Sequence, residues 1–177
     1  MGGAIGGAIG GLLVASMANP NAQVFDENSV VDPAPAISRR LSRDLERHYG
    51  LRHAPQAIPF DSDDVTKVTA AAPSADVVID IWTNDWSLVQ LHEDLTKFQV
   101  HYSASMRLID ARAVHAIDGK TGVVIAEGTC ERAPDDLASA ATRDQWLADG
   151  ASRLKAELKQ AVQTCVHDFR VRLLPPH

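Results

Sequence analysis

Apolar residues recur along this chain with two different periods, and each period keeps to its own region. From 98 to 108, Phe98, Val100, Tyr102, Ala104, Met106 and Leu108 hold the even positions, and Gln99, His101, Ser103, Ser105 and Arg107 hold the odd ones. Successive side chains of a strand point to opposite faces, so this alternation predicts an antiparallel strand with one buried and one solvated face. A helix would scatter the same apolar residues around its circumference. Residues 76–91 open in the same way: Val77, Ile79 and Ile81 share one face, Val78, Asp80 and Trp82 the other, and Asn84-Asp85 offers a place to bend. Asp118-Gly119-Lys120-Thr121-Gly122 has turn composition and leads into a third strand, Val123 to Cys130, which makes a β-hairpin.

Elsewhere the spacing is three and four. Ile37, Leu41, Leu45 and Tyr49 predict a helix over Pro35 to Tyr49, closed by Gly50. Arg39, Arg43 and Arg47 form a second stripe on it. Leu147, Ala151, Leu154, Leu158, Ala161, Cys165 and Phe169 predict one long amphipathic helix from about Arg143 to Leu173, packed on the sheet. Residues 51–64 have loop composition, a short strand is expected near Val65 to Ala70, and Pro134 to Thr142 reads as a loop or short helix. The fold class expected is α+β: an antiparallel sheet of three to four strands packed against an N-terminal helix and a long C-terminal helix, all within residues 37–177.

Residues 1–18 follow a different rule. They carry no charge, and Gly2, Gly6, Gly10 and Gly3, Gly7, Gly11 form two rows at spacing four. On a helix each row lies on one face, where another backbone can approach closely in lipid. Three readings stand: a glycine zipper in or against a membrane, the stub of a signal or lipoprotein leader, and a Gly/Ala tail. Ser16-Met17-Ala18 fits a small-x-small cleavage site, although no basic stretch precedes it. Residues 19–36, rich in Pro, Asn and Asp, read as a linker.

The net charge of −6 argues against a general nucleic-acid binder, which needs a basic field to neutralise phosphates. Cys130 and Cys165 lack metal-ligand spacing and both fall on inferred core faces, Cys130 together with Val124 and Ala126. They are either one disulfide or two buried thiols; the disulfide is the reading taken forward, and it implies an oxidising compartment.

The run Tyr102-Ser103-Ala104-Ser105-Met106-Arg107-Leu108-Ile109-Asp110, then Lys120 to Gly128 and Cys130, resembles a group of uncharacterised Gram-negative envelope lipoproteins. The tail segments Asp149 to Leu158 and Cys165 to Phe169 are similar too. More distantly, the order of strand, "TG" hairpin and closing helix resembles the periplasmic lipoproteins of curli secretion and of penicillin-binding-protein activation. The likeness spans about residues 76–173. It implies a periplasmic, membrane-associated address, outer membrane above all, and an accessory role without catalytic residues. The chain departs from the pattern in the longer hairpin around Ala113 to Asp118 and in lacking a lipid-bearing cysteine.

The residues themselves carry no hydrolase or phosphate-loop motif. His92, Glu93, Asp94 and His101 could ligate a metal, but the first three read as a solvated turn; no metal or cofactor is expected. His101 with Ser103 or Ser105 lacks an orienting acid unless a neighbouring strand supplies one. Asp135 and Asp136 are explained by the dipole of the helix that follows. Trp82, Trp86 and the Arg39/Arg43/Arg47 stripe are the candidate partner contacts, since exposed Trp and Arg are enriched in binding hot spots. The expectation is a non-enzymatic envelope accessory protein, held at a membrane by its N-terminus and binding an unknown envelope protein or glycan. A membrane assembly or homo-oligomer packed through the glycine rows is the alternative; a small hydrolase-like enzyme comes last.

Overall fold

The computed structural model describes residues 4–6, 27–50, 58–60, 64–114, 121–133 and 137–173. Its elements in chain order are β1 (Ala4–Gly6), α1 (Ala34–Tyr49), β2 (Ile58–Phe60), α2 (Val65–Ala71), β3 (Val77–Gln90), β4 (Lys97–Val114), β5 (Thr121–Arg132), a 3-10 turn (Leu137–Ser139), β6 (Ala141–Thr142) and α3 (Arg143–Leu173). The expected α+β architecture is present. Strands β3, β4 and β5 form an antiparallel sheet in that order, and β6 pairs the start of β4 as a fourth strand.

The inner face of the sheet is the alternating face read from the sequence. Val100, Tyr102, Ala104 and Met106 from β4 join Ile79, Ile81 and Leu88 from β3 and Cys130 from β5 in one buried cluster. Helix α1 adds Ile37, Leu41 and Leu45, and α3 adds Leu154, Leu158, Ala161, Val162, Cys165 and Phe169. Removing this apolar surface from water is the main favourable contribution to folding. The Cys130–Cys165 disulfide, with Cα atoms 5.2 Å apart, fastens β5 to α3. By restricting the unfolded chain it contributes about 2–4 kcal/mol.

The ends of the helices are tied in. Gly50 ends α1 in the left-handed region at φ 66°, where glycine carries no Cβ penalty. The Tyr49 hydroxyl donates to the Leu173 carbonyl at 3.0 Å, joining the two helix C-termini. Trp146 is buried and donates from Nε1 to the Phe98 carbonyl at 2.8 Å, anchoring the start of α3 to β4.

Several expectations are corrected. Val65–Ala71 is a helix, not a strand: Asp64 caps it by accepting from the Thr66 N–H at 2.9 Å, and Val68 and Ala72 are buried at spacing four. Ile58–Phe60, read as loop, is a short strand. The long final helix is broken. Ala148 is extended, and Asp149, Gly150 and Ala151 all have left-handed φ, so its helical parts are 143–147 and 152–173. Asp149-Gly150 supplies the residues that tolerate that conformation. The break shifts the phase of the stripe, so Trp146 takes the buried position and Leu147 is only half-buried.

Cys130 does not share a face with Val124. The register of β4 and β5 shifts between Leu108 and Ile109, pairing Leu108 with Ala126 but Ile109 with Val124. That bulge turns Val124 to the outer face, where it packs with Val68, Val78 and Ile109 under α2. Gly122, at φ +91°, lets α2 approach: a Cβ there would stand 2.7 Å from the Thr69 methyl.

The glycine rows are described only at β1. Gly6 lies in an extended strand paired antiparallel with β2 and not on a helix face, and β1 lies against β3. Gly2, Gly3, Gly7, Gly10 and Gly11 lie outside the described residues. No helix among the described residues is long and apolar enough to cross a membrane.

Candidate functional site

Three places in the fold gather chemistry-bearing side chains. The first is the outer face of the sheet. Asp80 is fully buried there and opposite Arg107, whose Nε donates to Asp80 Oδ2 at 3.0 Å, with a second contact from the other guanidinium nitrogen. Arg107 also lies over the Trp82 ring, 5.0 Å from its centroid. Two guanidinium nitrogens on this one oxygen compensate a carboxylate removed from water. Trp82 is thus half-buried under a guanidinium. Trp86 is on the other side: the bulge between Thr83 and Asp85 reverses the facing of the strand, so Trp86 opposes Tyr102 and packs on the inner core. The two tryptophans therefore do not form one patch.

On the same outer face, His101 is held between two strands. Its Nδ1 lies 3.1 Å from Asp85 Oδ2 and its Nε2 3.0 Å from Glu131 Oε1. The neighbouring strands thus do supply acids to His101, Asp85 from β3 and Glu131 from β5. With both ring nitrogens engaged by carboxylates, neither is placed to take a proton from Ser103 or Ser105 in this arrangement. Ser105 instead exchanges hydrogen bonds with Asn84. The His92, Glu93, Asp94 turn does not close on His101. Asp94 accepts from the Thr96 N–H and hydroxyl, which hold its carboxyl below the ordinary value. Among the described residues no three His, Cys, Asp or Glu groups converge as metal ligands. Asp135 and Asp136 lie outside the described residues.

The second place is a buried polar chain at the start of α1. Asp32 Oδ1 accepts from the Ala34 N–H at 2.8 Å and from the Thr83 hydroxyl at 2.6 Å. The Thr83 oxygen is 3.1 Å from the Tyr102 hydroxyl. One carboxylate therefore satisfies an open helix N–H and pins α1 to β3 and β4. Burial pushes the Asp32 carboxyl above its ordinary 3.8, opposed by the two hydrogen bonds. The same burial, with Asp32 beside it, pushes the Tyr102 phenol far up.

The third place is a cavity of about 330 Å³ between the lead-in to α1, α1 itself and α3. Val30, Leu158 and Val162 extend the core into its floor, with Ala36 beside them. Its rim holds Arg39 and Arg40 from α1 and Lys155 and Lys159 from α3, all exposed. The lysines lie one turn apart on α3 beside buried Leu154 and Leu158, whereas Arg39 and Arg40 are consecutive on α1. Of the expected arginine stripe only Arg39 reaches the groove. Arg43 is exposed away from it, and Arg47 lies 3.7 Å from Asp44. Arg40, Lys155 and Lys159 were missed by sequence reading. The Lys155/Lys159 spacing beside the apolar stripe was the available signal, but the position of α1 over α3 was not.

Comparison with known proteins assigns no kinship: no family model matches the chain, and no curated protein and no solved structure matches it.

Proposed function

We propose that this chain is a non-enzymatic accessory protein of the bacterial cell envelope, held near a membrane by its N-terminal segment, whose α+β domain binds another envelope component. The observation that carries the reading is the buried Cys130–Cys165 disulfide closing β5 onto α3. Such bonds persist in oxidising spaces such as the periplasm and are rare where thiols are kept reduced. The uncharged opening and the resemblance of residues 76–173 to envelope lipoproteins support the same address. The groove supplies a binding surface, since concave apolar sites with a few convergent polar groups are where ligands are held.

The alternative, an assembly packed through a glycine-row helix, gains nothing from Gly6, which stands in a strand. Fractionation of Gram-negative cells expressing the full chain, and a chain lacking residues 1–24, tests the proposal. The full chain is expected in the membrane part of the envelope and the shortened one, still folded, in the soluble part. Recovery of both from the cytosol would overturn it.

A further inference from the structure

We infer that the groove between α1 and α3 binds a single-chain amphiphilic anion, its acyl tail on Val30, Leu158 and Val162 and its carboxylate or phosphate head among Arg39, Arg40, Lys155 and Lys159. The inference rests on the reading of the protein as a binding component and names what that component takes.

Two features of the groove have to be met together. Its floor is an outcrop of the hydrophobic core, and Val31 at its lip is 75% exposed, an apolar side chain left to water. Its rim carries four cations, on a chain whose net charge is −6. Among the described residues no carboxylate pairs with any of the four, whereas several arginines outside the groove have one, Arg47 and Arg170 at Asp44 and Arg132 at Glu157 among them. Four like charges at one opening repel one another and concentrate a field that an arriving anion relieves.

A free inorganic anion would satisfy the rim and leave the floor wet. A neutral hydrocarbon would do the reverse. An anionic head on an apolar tail satisfies both. The volume, at the lower end of the ~300–1,000 Å³ usual for small-molecule pockets, suits one chain. Asp32 also lines the groove, its Oδ1 accepting from Ala34 and Thr83, and its one carboxylate is outnumbered by the four cations of the rim.

The test is calorimetric titration of the full chain with decanoate, decanol, inorganic phosphate and phosphatidylglycerol vesicles. Decanoate is expected to bind saturably at a single site, decanol at least about tenfold more weakly, and phosphate not measurably. The exposed double substitution Lys155→Gln/Lys159→Gln should weaken decanoate about tenfold or more while leaving decanol unchanged. Ala36→Leu, which narrows the floor, should weaken both. Binding of decanoate that phosphatidylglycerol vesicles do not displace is expected; a direct displacement by them would assign the groove to a two-chain bilayer lipid and overturn the single-chain inference. Equal affinity for decanoate and decanol, indifference to the lysine substitutions, or no decanoate binding would overturn it. Should decanoate fail while fractionation still places the chain in the envelope, only the ligand class falls.

Discussion

The two faces of the central sheet are built from the same three strands and obey different rules. The inner face is apolar almost without interruption, from Ile79 and Ile81 through Val100, Ala104 and Met106 to Cys130, and both long helices lie on it. The outer face is polar along most of its length, with Ser103, Ser105, Thr129 and Glu131, and is covered at one end by α2 over Val78, Ile109 and Val124. Burial decides the first face residue by residue. On the second, an ion pair, Asp80–Arg107, is taken out of water, while Ser103, Ser105, Thr129 and Glu131 stay half-buried or exposed. The contrast also moves the proposed binding surface. The outer face holds Trp82, but under a guanidinium; the groove opens where the helices covering the inner face part.

Substitutions on the two faces should separate accordingly. The largest loss is expected from an outer-face residue that breaks the simple contrast. Arg107→Met takes the guanidinium from a fully buried carboxylate and should cost about 3–5 kcal/mol in urea unfolding. A loss under about 1 kcal/mol would mean that Asp80 is solvated and the outer face uniformly tolerant.

Ile81→Ala, on the inner face, should cost about 2–5 kcal/mol through lost burial and the cavity left behind. The paired Cys130→Ala/Cys165→Ala substitution should cost about 2–4 kcal/mol, read as a lower urea midpoint that added reductant does not lower further.

Asp32 sharpens the contrast through pH. Its folded-state pKa is raised, so the folded protein holds this proton more tightly than the unfolded chain does. Its contribution to stability is therefore most favourable below 3.8 and declines as pH rises from there through the higher folded value. Asp32→Asn keeps an acceptor for Ala34 and Thr83 and should remove that decline, seen as a flatter urea midpoint across the window. The smallest effect is expected from Thr129→Ala, in the exposed part of the outer face, within about 0.5 kcal/mol of the parent.

This division also explains what could be read from the chain. The alternation at 98–108 survives because β4 sits in the middle of the sheet and one whole face of it is buried. The same reading lost its phase where an extra residue entered a strand. At Thr83/Asp85 the bulge put Trp86 on the core, and at Leu108/Ile109 the shift sent Val124 to α2. Neither bulge leaves a mark in hydrophobic spacing. Val65–Ala71 is rich in β-branched residues, which favour strands, yet an Asp64 cap and the burial of Val68 and Ala72 against Val78 and Ile109 of the sheet made it helical. Asp149-Gly150 was in plain view as a break, and spacing alone concealed it because the apolar stripe continues beyond. The groove was out of reach, since it depends on which turns of α1 and α3 lie side by side.

The account rests most directly on the state of Cys130 and Cys165 in living cells. Intact Gram-negative cells expressing the full chain can be treated with a membrane-permeant thiol-alkylating reagent under denaturing quench, and the protein then weighed with and without reduction. The account predicts that neither cysteine is alkylated until a reductant is added, with one intramolecular bridge joining them. Two alkylated thiols without reductant would place the chain in a reducing compartment and contradict it.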